Sequence, residues 1–211
     1  MHISVLNQNT IINAAQALSL LQEGNYRFTH NLSMNRDMLQ KVLATKDQQQ
    51  PFAAVLSCMD SRVPAEIIFD LGIGDIFSIR IAGNIISENV LGSLEYAAAV
   101  AGVRLIVVMG HTCCGAVRGA CDKVQMGHLT SLIRKIDRAI VAEQSVPDNR
   151  TGSNDAFVNK VSAINLHHSI SDMVMQSDIL RGFQESAGLC IVPAMYDVAT
   201  GIVDFFDDRE M

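Results

Sequence analysis

Short apolar runs alternate with longer stretches of helical spacing along most of this chain. "FAAVLS" (52–57), "DIFSIRI" (75–81) and "RLIVVM" (104–109) are rich in branched residues and bounded by polar or turn residues, which predicts three buried strands. A fourth run, "GLCIVPAMYD" (188–197), reads as a last strand interrupted by Pro193. Between the runs, "ENVLGSLEYAAAVAG" (88–102) predicts a helix closed by Gly102. "HLTSLIRKIDRAIVAEQ" (128–144) and "NDAFVNKVSAINLHHSISDMVMQSDIL" (154–180) predict two more, joined through the loop-like "SVPDNRTGSND". Strands that alternate with helices imply right-handed crossovers, so the expected fold class is α/β, a mostly parallel central β-sheet flanked by helices.

Ahead of the first strand, "TIINAAQALSLLQEGNYRF" (10–28) and "NRDMLQKVLATKDQQQ" (35–50) have helical spacing, with Asn31 or Ser33 as the cap between them. The chain therefore divides into an N-terminal helical arm, 1–50, and an α/β core, 51–211, within one domain, which suits a length of 211 residues. The N-terminal stretch lacks a basic segment and a small-residue cleavage site, so it reads as a helix and not as an export signal.

Composition adds a partner to this picture. Hydrophobic residues make up 49% and charged residues 18%, more apolar surface than a lone subunit of this size hides, which points to a large subunit interface. No apolar run reaches the roughly 18 residues of a membrane span. A net charge of −6 without a block of Lys or Arg excludes nucleic acid and anionic membrane as expected partners, since both need a basic surface. Five cysteines, an odd number, point to a reducing, cytoplasmic setting with thiols used for metal, catalysis or packing.

Two of the predicted strands end alike. "AAVLS" runs into Cys58, and "RLIVVM" runs through Gly110 into His111. In open parallel sheets ligands gather beyond the carboxyl ends of the strands, so both side chains lie at one edge. Cys114 follows His111 by three residues in "GHTCCGAV", where small residues suit a tight turn into a helix. Two thiolates and an imidazole form a set suited to tetrahedral zinc, with a fourth position open. Water held there would approach a pKa of about 7. Asp60, two residues after Cys58, either fills that position as a fourth ligand or accepts a hydrogen bond from the water, and Arg62 can hold its carboxylate off the metal. Cys113 lies beside Cys114 and leaves a one-residue alternative for the ligand, whereas Cys121 and Cys190 read as core or interface packing. His128, His167 and His168 read as ordinary surface histidines, with a proton shuttle as the functional alternative.

"CMDSRVP" followed by "GHTCCGA" resembles the signature of the beta-class carbonic anhydrases, and "EGNYRF", "GDIFSIRIAGNI", "SLEYA" and "YDVATGIVDFF" extend the likeness over residues 15 to 206. The resemblance implies a zinc enzyme that interconverts carbon dioxide and bicarbonate by attack of zinc-bound hydroxide. It makes Cys58, His111 and Cys114 the ligands of Zn2+ and Asp60 with Arg62 the catalytic dyad. Gln49, Phe77 and Tyr96 match its pocket positions, and Ala82 joins them as a substrate-lining residue. It also implies a homodimer or a tetramer of dimer units, with N-terminal helices packed on a partner subunit and part of each pocket supplied by that partner. Pro193 stands where the family pattern has a glycine, so regular edge pairing is not expected there. Two other readings use the same residues: hydrolysis of carbonyl sulfide or carbon disulfide, and a zinc-binding interaction protein in which Asp60 closes the site permanently. A third possibility is a pH switch, with Asp60 on zinc at low pH and on Arg62 at high pH.

Overall fold

The computed structural model describes residues 12–206. Residues 1–11, which carry the beginning of the first predicted helix, lie outside the described residues.

Four parallel strands form the centre: β1 (Ala53–Ser57), β2 (Ile76–Arg80), β3 (Leu105–His111) and β4 (Cys190–Tyr196). A short antiparallel strand, β5 (Val203–Phe205), completes the order β2-β1-β3-β4-β5. β1 and β3 are buried along their whole length. Because successive side chains of a strand point to opposite faces, Ala54, Leu56, Ile106 and Val108 enter one core cluster while Ala53, Val55, Leu105 and Val107 enter another.

Helices cover the two faces separately. α4 (Glu88–Glu95) and the π-helical turn Tyr96–Val100 cover the first face with α8 (Asp155–Gln176) and α9 (Asp178–Ser186), through Leu94, Leu166, Met173 and Leu180. α1 (Ala14–Thr29) and α3 (Ala65–Ile68) cover the second, through Ala17, Leu21, Ile68 and Phe69. A third cluster, at the carboxyl ends of the strands, joins Cys58 and Cys114 to Val117 of α5 (Gly115–Cys121), Ile133 of α6 (Gly127–Ile133), Ala139 of α7 (Asp137–Ala142) and Phe157 of α8.

Local chemistry sets the helix ends. Asn13 and Gln16 form a reciprocal capping box at the start of α1. α2 (Met38–Thr45) is shorter than the predicted 35–50 and is capped by Asp37, not by Asn31 or Ser33: the Asp37 carboxylate accepts the Gln40 N–H at 3.0 Å. Gly102, with φ +79, ends the 88–102 helix as its sequence predicts. The predicted 154–180 helix divides at Ser177, whose extended backbone closes α8 and whose hydroxyl caps α9 by accepting the Leu180 N–H. Pro193 does not spoil the sheet: it pairs with Val108 of β3, and its carbonyl accepts the Phe206 N–H on the β5 side. A strand residue points its N–H and C=O to the same side, so the donor that proline lacks would have faced the end of the β4–β5 ladder.

The two arm helices behave differently. α1 is fixed to its own chain, with Asn25 donating to the Ile68 and Gly201 carbonyls and accepting the Val203 N–H. Gly24 allows this approach, since a Cβ there would lie 1.8 Å from the Phe69 carbonyl oxygen. α2 buries none of its residues and exposes Leu39 and Leu43 at 76% and 67%. The chain between them is held by Asp70, whose buried carboxylate accepts from Arg27 Nε at 2.5 Å and Arg36 at 2.7 Å and from the Met34 N–H. Burial alone would raise the Asp70 carboxyl, but the hydrogen bonds from Arg36 and Arg27 outweigh it and hold it below the usual carboxylate value.

Asp70→Asn leaves two guanidinium groups without their counter-charge and is expected to cost about 3 kcal/mol in urea unfolding at neutral pH. A depressed folded-state pKa means that the carboxylate stabilises above its unfolded value and loses that effect as the pH falls through the folded value. The gap between wild type and variant should therefore be widest near neutrality and close under acid conditions.

Candidate metal centre

Parallel pairing of β1 with β3 sets Ser57 opposite Met109, so the next residues along each strand lead to Cys58 and His111 at the same sheet edge. After His111 the chain turns through Thr112 and Cys113 and enters α5, bringing Cys114 back to the same point. The turn needs a left-handed residue, and Cys113 supplies it at φ +57. Asn159 of α8 steadies it by accepting the Cys113 N–H at 2.8 Å.

Cys58, His111 and Cys114 are all buried, and one donor atom from each lies within 4.8 Å of the others. The two sulfurs are 3.9 Å apart. His111 Nδ1 lies 2.9 Å from the Thr112 carbonyl, which requires its hydrogen there and leaves Nε2 as the ring nitrogen free to face the sulfurs. Nε2 is buried without a hydrogen-bond partner among the described residues. A buried ring nitrogen without a hydrogen-bond partner beside two buried sulfurs fits a thiophilic cation and is costly without one.

The charge on the sulfurs agrees with that fit. Cys58 is pulled down to about 4, first by its hydrogen bond with Cys114 and, against burial, by His111 and the N–H groups of Asp60 and Gly83. Cys114 is pushed up by the same hydrogen bond and by burial. The pair thus shares one proton, the arrangement that a dication resolves by displacing it.

Asp60 is turned to Arg62. Its Oδ1 accepts from the Arg62 backbone N–H at 3.0 Å and from Nε at 2.9 Å, and its Oδ2 from the guanidinium at 2.8 Å. These bonds hold the Asp60 carboxyl down at about 2. No Asp60 oxygen joins the three-donor group.

The remaining sequence-predicted residues separate into two places. Ala82 begins the turn that follows β2, next to Gly83, whose N–H lies 3.4 Å from the Cys58 sulfur. Phe77 is elsewhere: it pairs with Ala54, four residues before Cys58, which is about 13 Å along a strand. Tyr96 meets Phe77 edge-on at 6.1 Å between ring centres, and the two line a groove of about 920 Å³ with Glu88, Glu95 and Gln176. Gln49 is exposed and precedes β1, at the opposite end from Cys58. Within one chain, then, Gln49, Phe77 and Tyr96 do not reach the three-donor group.

Sequence reasoning missed Arg80. It closes β2 at the same sheet edge and donates to the Cys58 carbonyl at 3.1 Å and the Asp60 carbonyl at 2.5 Å, clamping the segment that carries both residues. Its place at a strand end was the available signal. Cys113 stays outside the donor group, Cys121 is buried, and Cys190 is exposed on the chain at the start of β4 rather than packed within it. His128 is exposed, while His167 and His168 are partly buried on α8.

A parallel sheet with a Cys-His-Cys donor set beyond its strand ends defines a metal-binding α/β protein. A family model described as carbonic anhydrase matches residues 53–203. A carbonic anhydrase of Mycolicibacterium smegmatis is 33% identical over 91% of this chain and 93% of its own length. Carbonic anhydrase 2 of Mycobacterium tuberculosis is 35% identical over 90% and 91%. The chain belongs to the beta-class carbonic anhydrase family and is a carbonic anhydrase, carbon dioxide hydration being the family's general reaction. In fold it resembles the crystal structure of the beta-carbonic anhydrase CafA of Aspergillus fumigatus, with a TM-score of 0.72 and 24% identity over 92% of this chain and 90% of that one. It also resembles a tetrameric beta-carbonic anhydrase of Sordaria macrospora, with a TM-score of 0.69 and 24% identity over 91% and 95%.

Cys58→Ser or His111→Ala should weaken metal retention by more than the roughly 100-fold that outer partners of a metal site control. Competition with a chromophoric chelator measures this, and Cys113→Ser should leave retention unchanged.

Proposed function

We propose that this chain catalyses the zinc-dependent, reversible hydration of carbon dioxide to bicarbonate and a proton, in the cytoplasm, as a homodimer or a tetramer of dimers. The observation that carries the reading is the orphaned Nε2 of His111 facing two buried sulfurs, one of which already favours the thiolate. Cys58, His111 and Cys114 would hold the zinc. Bound there, the metal supplies a Lewis acid that brings the pKa of a water ligand toward about 7.

The chain's own residues do the rest. Asp60, held by Arg62, has lone pairs to accept a hydrogen bond from the attacking water and to aim it at carbon. Arg62 keeps Asp60 anionic and away from the cation, and Arg80 keeps the Asp60 backbone in place. Because Asp60 pairs with Arg62, this reading is favoured over a site that Asp60 closes permanently.

The pocket needs a second copy. Gln49 as amide donor and Phe77 and Tyr96 as apolar walls serve the reaction only if they come from a partner, since their own strand register carries them away from Cys58. Tyr96 is 49% exposed on the edge-strand side, and α2 leaves Leu39 and Leu43 uncovered, as an interface requires.

Stopped-flow hydration should fall to background on chelation and return with zinc; activity indifferent to chelation would refute the zinc reading. For the pocket, Cys58→Ser and Gln49→Ala chains are each expected to be nearly inactive. Co-expressed, they should recover about a quarter of wild-type activity, because half of the dimers are mixed and each of these has one complete site. Absence of recovery would place Gln49 outside a shared pocket.

A further inference from the structure

α8 crosses behind the metal centre and turns polar side chains toward it. Asn165 Nδ2 donates to the Gly83 carbonyl at 2.9 Å, and one helical turn later Ser169 Oγ donates to the Asn84 carbonyl at 3.0 Å. Residues at i and i+4 share a helix face, so the two form one fork. Asn165, Ser169 and Asn84 are 2–3% exposed, so these bonds are shielded from bulk solvent.

The turn they hold is an unfavourable one. Gly83 and Asn84 are consecutive left-handed residues, at φ +67 and +42, and a non-glycine residue in that region costs about 1 kcal/mol or more unless its surroundings fix it. The conformation has one visible product: the Gly83 N–H lies 3.4 Å from the Cys58 sulfur. The position is closely packed, so only glycine fits there: a Cβ on Gly83 would lie 3.0 Å from Ile136 Cδ1 and 3.3 Å from the Ala116 Cβ. The same helix also holds the other ligand-bearing turn, through Asn159 and the Cys113 N–H.

We infer that Asn165 and Ser169 are positioning residues for the metal centre: by gripping the carbonyls of Gly83 and Asn84 they aim the Gly83 N–H at the Cys58 sulfur. The inference rests on Cys58 being a zinc ligand. An N–H directed at a coordinating sulfur fixes that sulfur in place and draws electron density from it, so the ligand is held in binding geometry and the metal stays more electrophilic. Without the fork the Gly83–Asn84 turn relaxes, and Cys58 keeps its place just beyond β1 but loses that donor.

The test uses the full-length zinc protein and its cobalt-substituted form. Asn165→Ala is expected to weaken zinc binding roughly 10- to 100-fold in chelator competition, with Ser169→Ala weaker in the same direction because Asn165 remains. In the cobalt protein, the sulfur-to-cobalt charge-transfer band should move to longer wavelength in both variants, since a sulfur without its N–H is the better electron donor. Loss of packing alone would lower the melting temperature without moving the band. Zinc affinity within twofold of wild type together with an unmoved band, in Ser169→Ala and in Asn165→Ala, would overturn the inference and leave the zinc site intact. A wild-type chain that binds no zinc would overturn both.

Discussion

The β1–β3 ladder carries the rest of the site. Two fully buried parallel strands, paired so that Ser57 faces Met109, bring Cys58 and His111 to one edge from positions more than fifty residues apart. A slip of one residue would reverse the facing of every side chain on a strand, and with apolar clusters on both faces such a slip would cost burial throughout β1. The hydrophobic core therefore does more than stabilise: the energy that sets its register also sets the separation of the three donor side chains. Cys114 depends on the same frame, since α5 starts where β3 ends.

Around that frame the ionisable groups are sorted by their neighbours. The hydrogen bond between Cys58 and Cys114 draws Cys58 toward the thiolate, helped by the Asp60 and Gly83 N–H groups, and pushes Cys114, with its burial, the other way. Asp60, two residues from Cys58 of the three-donor group, is drawn to a guanidinium instead, and Arg80 ties the backbone of that segment to β2. Acidic and basic groups that look like an odd cluster after a buried strand are thus separated: the Asp60 carboxylate is held by Arg62, the backbone that carries it by Arg80, and neither reaches the three-donor group.

Much of this was legible along the chain because it is local. Branched apolar runs marked β1, β2 and β3 to within two residues at each end, and Gly102 marked a helix terminus through its left-handed backbone. Other features were hidden because they depend on distant contacts. β5 is three residues long and has too little pattern to read, and only its pairing with Ala194–Tyr196 makes it a strand. Pro193 looked disruptive, yet its missing donor faces the frayed end of that pairing. Asp37 displaced Asn31 and Ser33 as the α2 cap because Arg36 is drawn to Asp70, which fixes where the chain can begin to wind.

Periodicity and motifs of fixed short spacing make the layered α/β class, the family and the metal-ligand candidates readable along the chain. Only the tertiary structure decided that Asp60 pairs with Arg62, that Arg80 and α8 brace the ligand-bearing turns, and that Gln49, Phe77 and Tyr96 lie away from the donors of their own chain. The reason is physical. Period-two alternation says which residues of a strand share a face, but which strand lies beside it, and in what register, is settled by packing among residues far apart in the chain. "AAVLSC" could announce a buried strand ending in a thiol; the fold alone could say what that thiol would meet.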